Sequence, residues 1–338
     1  MGSVMSPAAL LAKLRIDPFI LGILATVGIA CLVPARGQGA EVASWVTSIG
    51  VGLLFFLYGA RLSTAEAVAG FRHWRLHLVI LATTFGLFPL LGLATKLLVP
   101  GVLTPALAAG IVFLCTLPST VNSSIAFTSI AKGNVAAAIC AASFSSLLGI
   151  VLTPLLAALL LESSGHGFSL DAVTSIVLQL LVPFVAGQIA RRWIGGFITR
   201  HKKVLGRADR TVILLVVYAA FSEGVVAGIW HQLTPLALGG LLVVNLALFY
   251  TVFWILKLLT PRLGFDRADR IAIIFAGSKK SLASGLPMAA VLFPAQTVGL
   301  IVLPLMLFHQ AQLMICAVLA RRWGAQAEAG QPAAARAG

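Results

Sequence analysis

The residues able to do chemistry in this sequence sit inside otherwise apolar runs. In "AGSKKSLASGLP" (276–287), Lys279 and Lys280 stand side by side, flanked by Ser278 and Ser281, between "RIAIIF" and "MAAVLF". An ammonium group taken out of water is costly unless an anion, a carboxylate or local water offsets it. Two in succession cost more through repulsion, and imply a water-filled cavity, an anionic ligand or a carboxylate partner. The competing role is snorkelling, in which a Lys near a helix end extends its head to the interface. The pair lies near the middle of a run that starts at Arg270, so the functional role is preferred. Lys280 is favoured over Lys279 because Lys280-Ser281 opens the segment that follows.

A second polar interruption, "LPSTVNSSIAFTSIAKGN" (117–134), places Ser119, Thr120, Asn122, Ser123 and Ser124 directly after Pro118. These hydroxyls and this amide are groups that ligate a small cation or hydrogen-bond an anion. Glu223, in "YAAFSEGVVAGIW", is the one acidic residue well inside an apolar run. If it faces Lys280, each balances the other's charge; the alternative is a hydrated position near the outer interface. His309, Gln310 and Gln312 in "FHQAQL" combine a group suited to a proton relay with two amides, although packing is the more ordinary role for a lone buried His. Ser143, with Ser145 and Ser146, either joins the site or bonds back to its own helix carbonyls. Asn245 and Gln179 are expected to tie helices together.

Other patterns carry less. "HWRLH" gives His73 and His77 metal-compatible spacing but no third ligand, and a solvated basic loop is the better reading. The sequon at Asn122 lies at membrane depth and is rejected as a glycosylation site. Cys31, Cys115, Cys140 and Cys316 show neither CxxC nor metal spacing and are expected to stay unbridged. No GxGxxG, P-loop, HExxH or GxSxG arrangement occurs, so no enzyme is indicated.

What must position these groups follows from composition. Of 338 residues, 59% are hydrophobic and only 10% charged, against about 25% charged in soluble domains. Apolar runs near 18–33, 42–60, 76–98, 103–130, 134–161, 171–190, 211–230, 236–259, 270–293 and 297–320 have the length of bilayer-spanning helices and lack the alternation of barrel strands. The first run is longer than a signal-peptide core and is expected to be an uncleaved helix. The expected fold is therefore all-α, a polytopic membrane protein of ten transmembrane helices.

The net charge of +14 falls in short loops, which makes it a topology signal rather than a nucleic-acid surface. With the N-terminus inside, Arg36 and Lys96 alone lie outside and Lys279 and Lys280 alone lie at depth; the rest of the 24 Lys and Arg are cytoplasmic. Both termini are then cytoplasmic, and the chain divides into a first five-helix repeat (1–161) and a second (171–320), with a basic cytoplasmic loop (191–210) close to their junction. An odd number of spans per repeat inverts the second half, and the two polar interruptions fall in the fourth span of each. Paired interruptions of this kind mark midplane binding sites in inverted-repeat transporters. The segment 324–338 reads as a disordered tail.

The segments 117–134, "GSKKSLASGLPMAAVLF" (277–293) and "LPLMLFHQAQL" (303–313) resemble the bile acid:sodium symporter superfamily, in its SBF-like (YfeH-type) branch. The resemblance spans nearly the whole chain. It implies a panel domain (spans 1, 2, 6, 7), a core domain (spans 3–5, 8–10), broken helices 4 and 9 crossing at its centre, and transport of an organic anion, coupled to sodium in the best-known members. It also implies that Ser278 stands where sodium-coupled relatives carry a Glu ligand. Lys279 and Lys280 replace uncharged residues there, Ala138 and Ala142 replace hydroxyls, and Thr84 replaces a Gln.

The expected function is thus a secondary transporter of a bile-acid-like, steroid-like or other small carboxylate or sulfate anion, working by alternating access. Lys280 would either contact the anion or replace a sodium, and dependence on sodium would be weak, with a link to protonation. The coupling ion is expected to be sodium or a proton; a sodium would take oxygens from Asn122, Ser123 and Ser278, and no other cofactor or metal is expected. The alternatives are a non-transporting membrane sensor or regulator on the same fold, or a cation/proton antiporter, whose usual intramembrane Asp is absent from the core spans. The expected partners are the anion and the lipid bilayer, not nucleic acid, and the expected location is the bacterial inner membrane. A reporter fused after Arg322 is expected to be active on the cytoplasmic side, and one at Gly165 on the outside; the opposite result for either overturns the topology.

Overall fold

Inside a bilayer each backbone N–H and C=O must find its partner within the chain, and a helix achieves this locally. The computed structural model describes residues 18–61, 73–161, 177–228 and 233–329, and among these all regular structure is helical. In chain order the helices are α1 (Pro18–Leu32), α2 (Gln38–Arg61), α3 (Trp74–Leu98), α4 (Pro105–Thr116), α5 (Asn122–Ile130), α6 (Val135–Leu161), α7 (Val182–Arg200), α8 (Lys202–Val226), α9 (Pro235–Arg262), α10 (Arg267–Gly277), α11 (Leu282–Leu292) and α12 (Ala295–Ala329). Within α3 one π turn covers Thr83–Leu87, and its last turn, Thr95–Leu98, is 3-10. Five of the helices, α2, α3, α6, α9 and α12, are each long and apolar enough to cross a membrane alone. The chain is a polytopic, all-helical membrane protein.

The expected fourth and ninth spans are each two short helices in series, α4 with α5 and α10 with α11. The first break has an obvious cause. Leu117 precedes Pro118 and is driven into an extended conformation (φ −71°, ψ 153°), which ends α4. The second break contains no proline. There the Ser278 hydroxyl bonds back to the Ile274 carbonyl at 2.6 Å, and Ser281 becomes the cap of α11 by accepting from the Ser284 N–H.

Two expectations need correction. The stretch 191–210 is not a loop, because α7 runs to Arg200 and α8 starts at Lys202 with only His201 between them. Arg, Lys, Ala and Leu are strong helix formers, so the helices continue past the end of the apolar run. Likewise α12 continues through Ala329, into the segment expected to be disordered from 324. Its end is tied down by Arg267, whose Nη2 donates to the Trp323 carbonyl at 2.7 Å, and by a Lys132–Glu328 ion pair at 3.6 Å. The residues 330–338, 1–17 and 171–176 lie outside the described part.

Helices α4, α5, α10 and α11 lie among α3, α6, α9 and α12, while α1, α2, α7 and α8 pack on one another and meet the rest chiefly through α8 against α11 and α12. The Asn245 amide of α9 donates to the Pro304 carbonyl of α12 at 3.0 Å, the interhelical tie expected of it. Asp209 of α8 accepts from both guanidinium nitrogens of Arg61 from α2.

The tightest packing joins α2 and α7 backbone to backbone. A Cβ on Gly59 would stand 2.0 Å from the Phe184 carbonyl oxygen, and one on Gly187 would stand 1.9 Å from that of Phe56. Small residues allow such approach, and van der Waals packing drives helix association in lipid. Gly59→Ala and Gly187→Ala are each expected to cost about 3 kcal/mol or more, since a backbone atom cannot swing aside as a side chain can. Gly239→Ala in α9, where nothing lies within 4 Å of the added carbon, is expected to be neutral or to gain up to about 1 kcal/mol from helix propensity. Thermal unfolding of the purified variants in detergent checks this, and equal behaviour of all three would refute the contact.

Candidate functional site

A broken helix leaves carbonyls without donors at the end of its first half and N–H groups without acceptors at the start of its second. Here each break supplies the partners for the other. The Ser119 hydroxyl donates to the Ala276 carbonyl at 2.5 Å and the Ser124 hydroxyl to the Phe275 carbonyl at 3.1 Å, which closes the end of α10. In return the Ser281 N–H donates to the Pro118 carbonyl at 2.9 Å.

The end of α4 is closed by a lysine. Lys280 Nζ donates to the carbonyls of Thr84 at 2.8 Å, Cys115 at 2.7 Å and Leu117 at 2.7 Å, and lies 4.2 Å from the centre of the Phe88 ring. All three oxygens are acceptors only, so an ammonium, with three hydrogens, satisfies all of them at once. Its side chain is fully buried. The same residue's peptide is held by Gln312, whose Oε1 accepts from the Lys280 N–H and whose Nε2 donates to the Lys280 carbonyl, both at 2.9 Å. The second Nε2 hydrogen goes to His309 Nδ1 at 2.8 Å, which makes that ring nitrogen an acceptor. Its 3.4 Å approach to the Lys280 carbonyl therefore sets two acceptors near each other.

Lys279 differs. Its Nζ has one hydrogen bond among the described residues, to Ser123 Oγ at 3.2 Å, and otherwise faces the rings of Phe127 at 4.6 Å and Phe275 at 5.9 Å. Ser123 pairs with Thr120 at 2.8 Å and Thr120 with Ser124 at 3.2 Å. An ammonium only donates, a carbonyl only accepts, and each hydroxyl has one hydrogen. The chain of bonds therefore runs one way, from Lys279 through Ser123, Thr120 and Ser124 to the Phe275 carbonyl.

The sequence-selected residues thus divide. Ser119, Thr120, Ser123, Ser124, Ser278, Lys279, Lys280, Ser281 and His309 are assembled at the two breaks. Lys280, the residue preferred as the contact for an anion, makes three hydrogen bonds through its Nζ, whereas Lys279 Nζ makes one among the described residues. Glu223 does not face Lys280. It lines a surface cleft with Glu41, Ser44 and Trp45 and an adjoining one with Arg36 and Gln296, and neither lysine makes an ion pair among the described residues. Its place at that end of α8 matches the hydrated alternative.

Ser143 makes no bond to either break; Ser145, one side of the helix round from it, accepts the Ser119 N–H at 2.9 Å. The Gln310 Oε1 is buried without a partner among the described residues, whereas Gln312 holds the lysine peptide. Asn122 is exposed at the first position of α5, Ser278 is bonded to its own helix, and Ser123 is engaged by Lys279 and Thr120. The three oxygens considered for sodium therefore share no hydrogen bond and no common partner.

An all-helical chain with bilayer-length helices and two interrupted helices joined at their breaks has the plan of a membrane transporter. The chain belongs to the SBF-like CPA transporter family, whose model matches residues 17–325. It is 57% identical over 308 residues to the uncharacterized protein PA2026 of Pseudomonas aeruginosa, covering 91% of this chain and 92% of that one. It is 50% identical over 313 residues to Escherichia coli YfeH, provisionally named a symporter, covering 93% and 94%. The rat sodium/bile acid cotransporter 7 is 33% identical over 316 residues, covering 92% and 93%. The family is one of transporters, so the protein is not an enzyme.

Gln312 should matter for folding in a way that Gln310 does not. Gln312→Leu leaves the buried Lys280 N–H and carbonyl unpaired and is expected to cost about 2 kcal/mol. Gln310→Leu removes an oxygen that has no partner and is expected to be close to neutral. Unfolding of both variants in detergent distinguishes them; the same loss for each would contradict the clamp.

Proposed function

We propose that this protein is a secondary transporter of organic anions that works by alternating access. The observation that carries the reading is the charge at the joined breaks. Two buried lysines lie there with no carboxylate paired to either among the described residues. Lys280 is neutralised only by carbonyl dipoles, and Lys279 only by one hydroxyl and two rings. The region is therefore positive in a setting of low dielectric, where an anion gains most. The start of α5 adds to this, since it has no side-chain cap and its first residue, Asn122, is exposed. Helix N-termini of this kind favour negative charge.

In this reading Lys279 takes the anion together with Ser123 and the first turn of α5, and Lys280 holds the crossover in shape. The substrate is a bile-acid-like or steroid-like anion, or another small carboxylate or sulfate. Sodium dependence is weak, because positive charge is already built into the site. The ten-span plan of two inverted five-helix repeats accompanies it, with α1, α2, α7 and α8 as a panel and the rest as a core, both termini cytoplasmic and the protein in the bacterial inner membrane. A cation/proton antiporter fits less well, since no carboxylate reaches the breaks among the described residues.

Uptake by proteoliposomes of a bile acid, a steroid sulfate and a dicarboxylate, each labelled, tests the proposal. Counterflow of at least one is expected, little changed when choline replaces sodium. Lys279→Gln should reduce it at least tenfold, and Lys279→Arg should retain a measurable part. Failure of every anion with well-folded protein would favour the sensor or regulator, and unchanged flux in Lys279→Gln would remove Lys279 from the site.

A further inference from the structure

We infer that the three carbonyls around Lys280, with the Phe88 ring, form a monovalent-cation cage that the chain fills permanently with its own ammonium. The inference begins with why those oxygens are available. In the π turn of α3 the Phe88 N–H bonds to the Thr83 carbonyl. The next N–H, which would serve Thr84, is missing because residue 89 is proline. The Cys115 carbonyl loses its usual helical donor because the Ser119 N–H turns away to Ser145 Oγ at 2.9 Å. Leu117 lies in the break itself, held extended by Pro118. Two prolines therefore expose three backbone oxygens to one point.

Three carbonyl oxygens at 2.7 to 2.8 Å and a ring face at 4.2 Å are how proteins hold a small cation. A cation suits the position best, since a neutral amine lacks the third hydrogen and an anion would meet three acceptors. Water could not replace the ammonium fully, since it donates only two hydrogens. Because its three oxygens are backbone atoms, one is withdrawn only by a change that gives it another donor. Lys280 acts as a positioning residue that joins the α10–α11 break to the end of α4. The protein accordingly takes up no free cation at this point.

The cage rests on no particular substrate, and its test reads stability instead of flux, so it stands or falls apart from anion transport. Lys280→Ala removes Cγ, Cδ, Cε and Nζ, which is n-propylammonium in outline. Thermal unfolding in detergent is followed in sodium, potassium, choline and n-propylammonium chloride at equal ionic strength, with n-propanol as the uncharged control. The native protein should unfold at the same temperature in all four salts. Lys280→Ala should unfold at least 5 °C lower and recover at least half of that loss, saturably, in n-propylammonium but not in choline or propanol. Lys280→Met, of similar length without charge, should lose stability and show no recovery.

Should Lys280→Ala not fold, Pro89→Ala decides in its place. It restores an N–H to the Thr84 carbonyl and so withdraws one oxygen from the cage, and it should lower the unfolding temperature although helical Pro→Ala ordinarily raises it. The cage is refuted by saturable stabilisation of the native protein by sodium or potassium, by full stability of Lys280→Met, by equal recovery of Lys280→Ala in propanol, or by a stabilised Pro89→Ala.

Discussion

The rest of the structure depends on one constraint, that a carbonyl stripped of its helical donor inside a membrane must be given another. Lipid offers none, and each unsatisfied group costs several kcal/mol. This chain meets the requirement by bringing its two interruptions together, so that each closes the open end of the other. The end of α10 receives hydroxyls from Ser119 and Ser124, and the end of α4 receives the Lys280 ammonium. The neighbouring helices are placed by the same demand: α3 presents the Thr84 carbonyl, α6 the Ser145 hydroxyl and α12 the Gln312 amide.

This division also explains why two adjacent lysines coexist in a buried place. They do not share an environment, because at the break, outside either helix, their side chains reach different partners. Lys280 is surrounded by oxygens and is saturated. Lys279 is surrounded mostly by rings, its single oxygen partner belonging to a chain of hydroxyls that ends on the Phe275 carbonyl. Lys280 is thus bonded into the scaffold, while Lys279 makes a single hydrogen bond among the described residues.

Much of the helix plan could be read from residue order alone, since a run of apolar residues at constant depth has few structural outcomes. The breaks were equally plain at Pro118 and at the Ser and Gly residues around Lys279. Helix ends were not, because apolarity reports depth while Arg, Lys and Ala go on forming helix beyond it, as in α7, α8 and the last turns of α12. Partners were harder still. Nothing local distinguishes Gln312 from Gln310, or Ser145 from Ser143; two residues on, about half a helical turn away, the side chain faces the opposite side, and that decides which meets the crossover. The ligands of Lys280 are backbone atoms, invisible to any reading of side chains, and only the placing of Pro89 and Pro118 hints at them. Glu223 looked like a partner because it is a rare acid in an apolar run, but rarity in sequence carries no information about which helix it turns toward.

Gln312 has one more property that follows from the length of its helix. From Gln312 to Ala329 the helix α12 is uninterrupted by proline, a rod of about 25 Å at 1.5 Å per residue. One end grips the peptide of Lys280, and the other is moored by Trp323 to Arg267 and by Glu328 to Lys132. Arg267 begins α10, the very helix that leads into that peptide. The lysine and the contacts at Arg267 and Lys132 therefore belong to one closed loop of bonds that runs through α10 and α12 and back to the same peptide.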